Sequence, residues 1–348
     1  MAGTIAVFDG HNDVLLRLHR SADADPVRSF LDGTDAGQLD LPRARQGGFA
    51  CGLFAVFAPS PRRVDKRRET DAVPLPPPLP ISDAQASTLA MIAIILRIER
   101  ASQGHVEVCR DAAQIRDAMS RGALAVVLHL EGAEAIDPDF HMLDVLYAAG
   151  LRSLGPVWSR PNIWGHGVPF RFPGSPDAGP GLTDAGQALV RACNQRRILI
   201  DLSHLTEQGF WDVVRLSQAP LVATHSNVHA ISASPRNLTD RQLDAIRDAD
   251  GLVGLNFATS MLRGDGQMRA DTDLEWMVRH VDALIRHLGE SRVALGSDFD
   301  GAVVPSQIGS VAGLQALFEA LRRHGFGEPM LHRLGTGNWL DLLERTIG

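Results

Sequence analysis

Short runs of apolar and β-branched residues alternate along the chain with longer stretches in which apolar positions return every three to four residues. The short runs predict strands at Ile5–Phe8, Phe49–Phe57, Leu124–Leu130, Leu151–Val157, Ile198–Leu202, Leu221–Thr224, Leu252–Asn256 and Val293–Leu295. The longer ones predict helices at Ser87–Ser102, Asp184–Arg196, Asp240–Asp248 and Asp273–Leu288. Thr183-Asp184 and Thr239-Asp240 supply helix-start residues. Eight strands alternating with helices predict an α/β chain folded as a (β/α)8 TIM-type barrel with loop insertions, one domain over residues 1–348. Two segments interrupt the alternation. An insertion at 59–82 ends in Pro74-Leu-Pro-Pro-Pro-Leu-Pro80 and reads as extended loop, because proline fixes φ and removes donors. The Gly- and Pro-rich stretch Ser159–Pro180 reads as a long loop beside the barrel mouth.

Composition narrows the function classes. With 348 residues, 45% hydrophobic and 22% charged, the chain can bury a large core. A net charge of −7 gives a nucleic acid no basic face to grip, and Arg62–Arg68 reads as a solvated loop. Cys51, Cys109 and Cys193 are far apart with no CxxC pair, so neither a disulfide framework nor a thiolate zinc knuckle is expected. The N-terminus runs into a strand pattern without a signal-like segment, and Leu89–Leu96 is too short to span a bilayer. A cytoplasmic location without membrane attachment is the expectation. Periodicity leaves subunit assembly open, a homodimer included.

The informative feature is where polar residues fall. Predicted strands end in Asp9-Gly-His11-Asn-Asp13, His129-Leu-Glu131-Gly132, Asp201-Leu-Ser-His204, Thr224-His225-Ser226 and Gly296-Ser-Asp298-Phe-Asp300-Gly301. Residues i and i+2 of an extended chain face the same side, so His11 and Asp13 can converge on one ion. Catalytic groups of barrel enzymes lie at the carboxyl ends of the strands, where all of these would meet. Each motif alone has a plainer reading: His204 satisfying a loop carbonyl, His225 buried in the core, Asp298 capping a helix, Glu131 pairing with an arginine. Together, five nitrogen and oxygen donors at four strand ends suit a borderline divalent ion such as zinc, with a carboxylate between two ions. His129 shares a strand face with Glu131 and points to a supporting position below the site. Seven other histidines, at 19, 105, 141, 280, 287, 324 and 332, read as ordinary surface or core residues.

These motifs, with Ser234-Pro-Arg236-Asn237 and the closing Gly337-Asn-Trp-Leu340, resemble the membrane (renal) dipeptidase family of the amidohydrolase superfamily over essentially the whole chain. The resemblance implies that His11 and Asp13 hold one divalent ion, His204 and His225 a second, and Glu131 bridges both. It implies a bridging hydroxide as the nucleophile toward a dipeptide-like amide, Asp298 as the catalytic carboxylate and Arg236 as the grip on the substrate's free carboxylate. One position departs. Family members carry a histidine at the end of the fourth predicted strand that steadies the oxyanion; Trp158 stands there here, and an indole donates one hydrogen bond but cannot titrate. Asn162 or His166, just beyond, are candidates for the missing donor. The departure keeps open a different amide, such as an N-acyl amino acid, and less readily a non-catalytic metal-binding relative.

Overall fold

A computed structural model describes residues 3–60 and 75–348. All eight predicted strands are present, and a ninth joins them: β1 (Val7–Asn12), β2 (Phe49–Phe57), β3 (Val106–Val108), β4 (Leu124–Glu131), β5 (Leu151–Gly155), β6 (Leu199–Ile200), β7 (Val222–Ala223), β8 (Leu252–Leu255) and β9 (Val293–Leu295). Their hydrogen-bonded order is β6-β5-β4-β2-β1-β9-β8-β7, with every pairing parallel. The ends meet where Asp201 bridges Val222 and the Leu202 N–H donates to the Val222 carbonyl at 2.8 Å, which closes the TIM-type barrel. The extra strand, β3, lies off this path against the start of β4. Three residues are too few to show a period.

Apolar side chains fill the barrel. Phe8, Leu53, Val127, Leu199, Val222, Leu252 and Ala294 cluster with Trp339 from the closing Gly-Asn-Trp-Leu segment. Trp339 is fully buried, stacks on Phe8 at 5.3 Å and donates its indole N–H to the Leu295 carbonyl at 2.9 Å. An aromatic of this size removes roughly 150–250 Å² from water, an upper bound of about 4–6 kcal/mol. The indole N–H bond matters as much, since an unpaired donor there would offset part of that gain. Asn338 donates to the Glu290 and Val293 carbonyls, both at 2.7 Å, so this segment ties the chain's end to β9.

The helix predicted at Ser87–Ser102 begins earlier, at Ile81, directly after the proline run. Its first turn, Ile81-Ser-Asp-Ala84, mixes apolar and polar residues and is too short to carry an apolar period. This 21-residue helix is long and apolar enough to cross a membrane by length and composition, yet Met91, Ile92, Ile94, Ile95 and Ile98 are buried in the protein core. Asp184–Arg196 and Asp240–Asp248 match their predicted bounds: Thr183 accepts the Gly186 N–H, and Thr239 with Gln242 forms a reciprocal cap. Of the 59–82 insertion, residues 61–74, with the basic run, lie outside the described residues; Leu75–Pro80 has no regular structure. All three cysteines are buried and unpaired.

Candidate metal centre

Side chains from four strand ends converge at one rim of the barrel. A register shift between Asp9 and Asn12 re-aims the end of β1. Gly10 allows this close approach, because a Cβ there would lie 2.5 Å from both the Thr224 carbonyl and the Trp339 ring. Beyond it, His11 Nε2 lies 3.5 Å from Asp13 Oδ2 and 3.7 Å from Glu131 Oε1. The same Glu131 oxygen, at the end of β4, is 3.0 Å from His204 Nε2 and 3.6 Å from His225 Nε2. The His204 and His225 Nε2 atoms are 3.3 Å apart, and the His225 ring stacks on His11 at 3.9 Å. All five residues are buried. Four of them, with Asp298, form two overlapping groups of donor atoms, His11–Glu131–His225 and His11–Asp13–Asp298; His204 falls in neither.

Partners behind the rim orient these rings. His204 Nδ1 is 2.9 Å from Ser159 Oγ, and His225 Nδ1 is 2.8 Å from Thr224 Oγ1. Both contacts leave Nε2 facing the centre. His129 sits below, with Nδ1 on Ser153 Oγ at 2.8 Å and its ring edge-on to His11 at 5.5 Å. Asp298 follows β9. Its Oδ2 accepts the Asn256 amide at 3.0 Å, while the Asn256 carbonyl oxygen takes the Ala258 N–H at 2.6 Å, so the amide can present only its NH2 group to Asp298. Arg236 is 3% exposed; Nη2 donates to the His225 carbonyl at 3.2 Å and Nε has no partner. No carboxylate pairs with it among the described residues.

His204, Asp298 and Asp300 have φ values of +70°, +61° and +66°. Left-handed backbone at a non-glycine residue costs on the order of 1–3 kcal/mol and persists only where surrounding contacts hold it. Here Asp300 accepts Arg17 Nε at 3.0 Å and the Gln38 N–H at 2.6 Å, which pins the loop bearing Asp298. Trp158 packs between Phe57 at 4.9 Å and Phe170 at 5.4 Å, with its ring 5.9 Å from His204. Asn162 turns into its own loop, donating to the Pro156 carbonyl at 2.9 Å and accepting the Trp164 N–H at 2.8 Å. His166 Nδ1 lies 3.4 Å from the Gly181 carbonyl. A third grouping, Asp137–Asp139–His141, is a surface feature in which Asp137 accepts backbone N–H groups of residues 139, 141 and 142.

A family model for membrane dipeptidase, peptidase family M19, matches residues 1–346. The chain belongs to the membrane dipeptidase family. The crystal structure of an M19 metallopeptidase, dipeptidase AC, is similar, with a TM-score of 0.95 and 54% identity over 99% of this chain and 100% of that one. A metallopeptidase from Rhodobacter sphaeroides, liganded with a phosphinate mimic of the dipeptide L-Ala-D-Ala, gives a TM-score of 0.96 and 53% identity over the same shares. An uncharacterized protein in the pqqA 5′ region of Klebsiella pneumoniae is 47% identical over 73% of this chain and 93% of its own length. The protein is thus a metal-dependent dipeptidase of family M19 that uses a divalent cation.

The electrostatics of this dipeptidase suit such a cofactor. Burial raises the Glu131 carboxyl well above its ordinary range, and Asp13 and Asp298 add to the rise by repulsion. Burial likewise raises Asp298, with Asp13 adding to it. Burial works to strip the His11 proton, but Glu131, Asp13 and Asp298 outweigh it and push that imidazole up to about 10. His204 and His225 go well below the ordinary range, through burial and then neighbouring cations, which favours the neutral form a metal would require of an imidazole. Both His11 ring nitrogens are buried without a hydrogen-bond partner. Crowded buried acids around neutral imidazoles and an orphaned ring are the signature of a cation site.

The sequence motifs gave no role to Asn256, Ser159 or Thr224, nor to the Arg17–Asp300–Gln38 tie. A signal existed for some of them. Asn256 and Thr224 end otherwise apolar strand runs, and a polar residue buried at a strand end needs a partner.

Proposed function

We propose that the enzyme cleaves the amide bond of a dipeptide or dipeptide-like substrate at a pair of divalent cations, with zinc the ion the ligand set suits best. The observation that carries this reading is the Glu131 oxygen within 3.0–3.7 Å of three imidazole Nε2 atoms from three strand ends. His11 and Asp13 would hold one ion, His204 and His225 the other, and Glu131 would be shared. Two such ions, when bound, supply activation of water near neutral pH and polarisation of the scissile carbonyl.

The chain's own groups do the rest. Asp298, half-buried and steadied by Asn256, accepts the proton of the attacking water and delivers it to the departing amine, which otherwise leaves poorly. Arg236, a buried guanidinium without an acidic partner among the described residues, receives the substrate's free carboxylate through parallel hydrogen bonds. The Phe57–Trp158–Phe170 wall beside His204 offers an apolar surface to one substrate side chain, and the Trp158 indole N–H one donor. A panel of dipeptides and N-acyl amino acids, assayed with added zinc, tests the reading. Turnover of free dipeptides supports it. Turnover confined to N-acyl amino acids would move the substrate class to the alternative that Trp158 keeps open.

Two further results are expected. Arg236→Lys keeps the charge but loses the planar fork, so kcat/KM on a free dipeptide falls about tenfold or more, at about 1.4 kcal/mol per decade. The same variant changes turnover of the C-terminally amidated dipeptide much less. An equal loss on both would remove the carboxylate role. Metal uptake also competes with protons: His11 holds one up to about 10 through its acidic neighbours, so cation binding at pH 7 must displace it. Zinc affinity therefore weakens as pH falls, by about tenfold per pH unit for each proton displaced. Calorimetry of zinc binding in buffers of different ionisation enthalpy counts those protons, and a count of zero would contradict this picture.

A further inference from the structure

We infer that Asp201 sets the tautomer of His225 through the Thr224 hydroxyl, so that Nε2 and not Nδ1 is presented to the metal centre. This rests on the two-cation reading above. The chain of contacts is short and buried. Asp201 Oδ1 accepts the backbone N–H groups of Ser203 at 3.0 Å and Thr224 at 2.8 Å. Asp201 Oδ2 accepts the Thr224 hydroxyl at 2.7 Å. Thr224 Oγ1 in turn lies 2.8 Å from His225 Nδ1, whereas Asp201 Oδ2 is 3.9 Å from that nitrogen, too far for a direct bond.

The direction of the relay follows from counting hydrogens. A threonine hydroxyl has one proton, and the carboxylate can only accept, so that proton goes to Asp201. The lone pairs of Thr224 Oγ1 are then what His225 meets, and the ring must donate from Nδ1. A neutral imidazole has one N–H, so Nε2 is left as a bare acceptor 3.6 Å from Glu131 Oε1. The reverse arrangement would press two lone pairs together at the 2.7 Å Asp201–Thr224 contact. The other two imidazoles lack this determination among the described residues. His204 Nδ1 faces the Ser159 hydroxyl, which can donate or accept, and His11 has no hydrogen-bond partner on either nitrogen. His129 flanks the relay, with Nε2 3.7 Å from Asp201 Oδ2 and Nδ1 held by Ser153. Asp201 is thus a positioning residue that acts on the centre through two other side chains.

Asp201→Asn inverts the relay with almost no change of shape. The Oδ1 position accepts two backbone N–H groups, so the asparagine carbonyl must occupy it and the NH2 group must replace Oδ2. That NH2 donates to Thr224, freeing the hydroxyl proton for His225 Nδ1 and placing the ring proton on Nε2, the ligand atom. Thr224→Val deletes the link and Thr224→Ser keeps it. Two readouts apply to the full chain: ¹⁵N shifts of the His225 ring nitrogens in metal-free protein, and zinc affinity by chelator competition. The parent is expected to carry the proton on Nδ1 and Asp201→Asn on Nε2. Zinc affinity is expected to fall about 10–100-fold in Asp201→Asn and Thr224→Val, and to stay within about threefold in Thr224→Ser. An Asp201→Asn protein that keeps the proton on Nδ1 and binds zinc like the parent overturns the inference. If that variant does not fold, equal zinc affinity in the valine and serine variants overturns it, and a loss confined to valine supports it. A parent that takes up no zinc sinks the metal reading instead, and the ring-nitrogen shifts of parent, valine and serine forms still decide the relay.

Discussion

Asp298→Asn should retain both cations and lose about 10²–10⁴-fold in kcat, the span that general acid–base catalysis supplies. That is a rise of about 2.7–5.4 kcal/mol in the barrel enzyme's transition state. The expectation has a structural basis. Asparagine matches aspartate in shape, so it can keep a hydrogen bond to Asn256, and the loop held by Arg17, Gln38 and Asp300 has no reason to move. What disappears is a carboxylate able to take a proton from water and return it to nitrogen. Because the loss belongs to the chemical step, KM should change little beside kcat. Elemental analysis of the same preparation is essential, since Asp298 lies within reach of His11 and Asp13. Metal loss in step with activity would make Asp298 a ligand, and near-normal turnover would leave it no catalytic part.

Glu131→Gln should be at least as damaging by a different route. The glutamate stands among His11, His204 and His225 and, among the described residues, is the only carboxylate within 4 Å of all three imidazoles. An amide there has at most one oxygen to offer and no charge to balance two cations in a buried setting. Metal content should fall from about two ions toward one or fewer, and activity by about a hundredfold or more, equivalent to roughly 2.7 kcal/mol. The variant should also lose its remaining metal to a weak chelator faster than the parent. Separating the two losses is informative: full metal content with little activity would mean that Glu131 acts on substrate and not as a bridge.

The barrel was legible because most of its strands, buried on both faces, show as short apolar runs, and eight strand-like runs alternating with helical ones leave few other architectures. β3 escaped because three residues carry no period, and the true start of the Ile81–Ala101 helix because its first turn mixes polar and apolar residues beside the proline run. The imidazoles and carboxylates now at the rim were each visible at a strand end, since the barrel topology alone brings strand ends together. Their support was not visible. Ser159 reaches His204 across 45 residues, and Asn256 reaches Asp298 across 42, and no local pattern encodes such pairings. Loop chemistry was equally opaque. Asn162, a candidate donor by position, spends its amide on the Pro156 carbonyl and the Trp164 and Gly165 N–H groups, a role fixed by the loop's own turn. The register shift in β1 also lies beyond pattern reading, because it depends on Gly10 meeting Thr224 and Trp339.

Anomalous diffraction at the zinc edge, on crystals of the enzyme purified with zinc, reads the central claim directly. Two peaks about 3.5–4 Å apart should flank the Glu131 carboxylate, one beside His11 and Asp13 and the other beside His204 and His225. A single peak, or peaks away from these five side chains, would contradict the account.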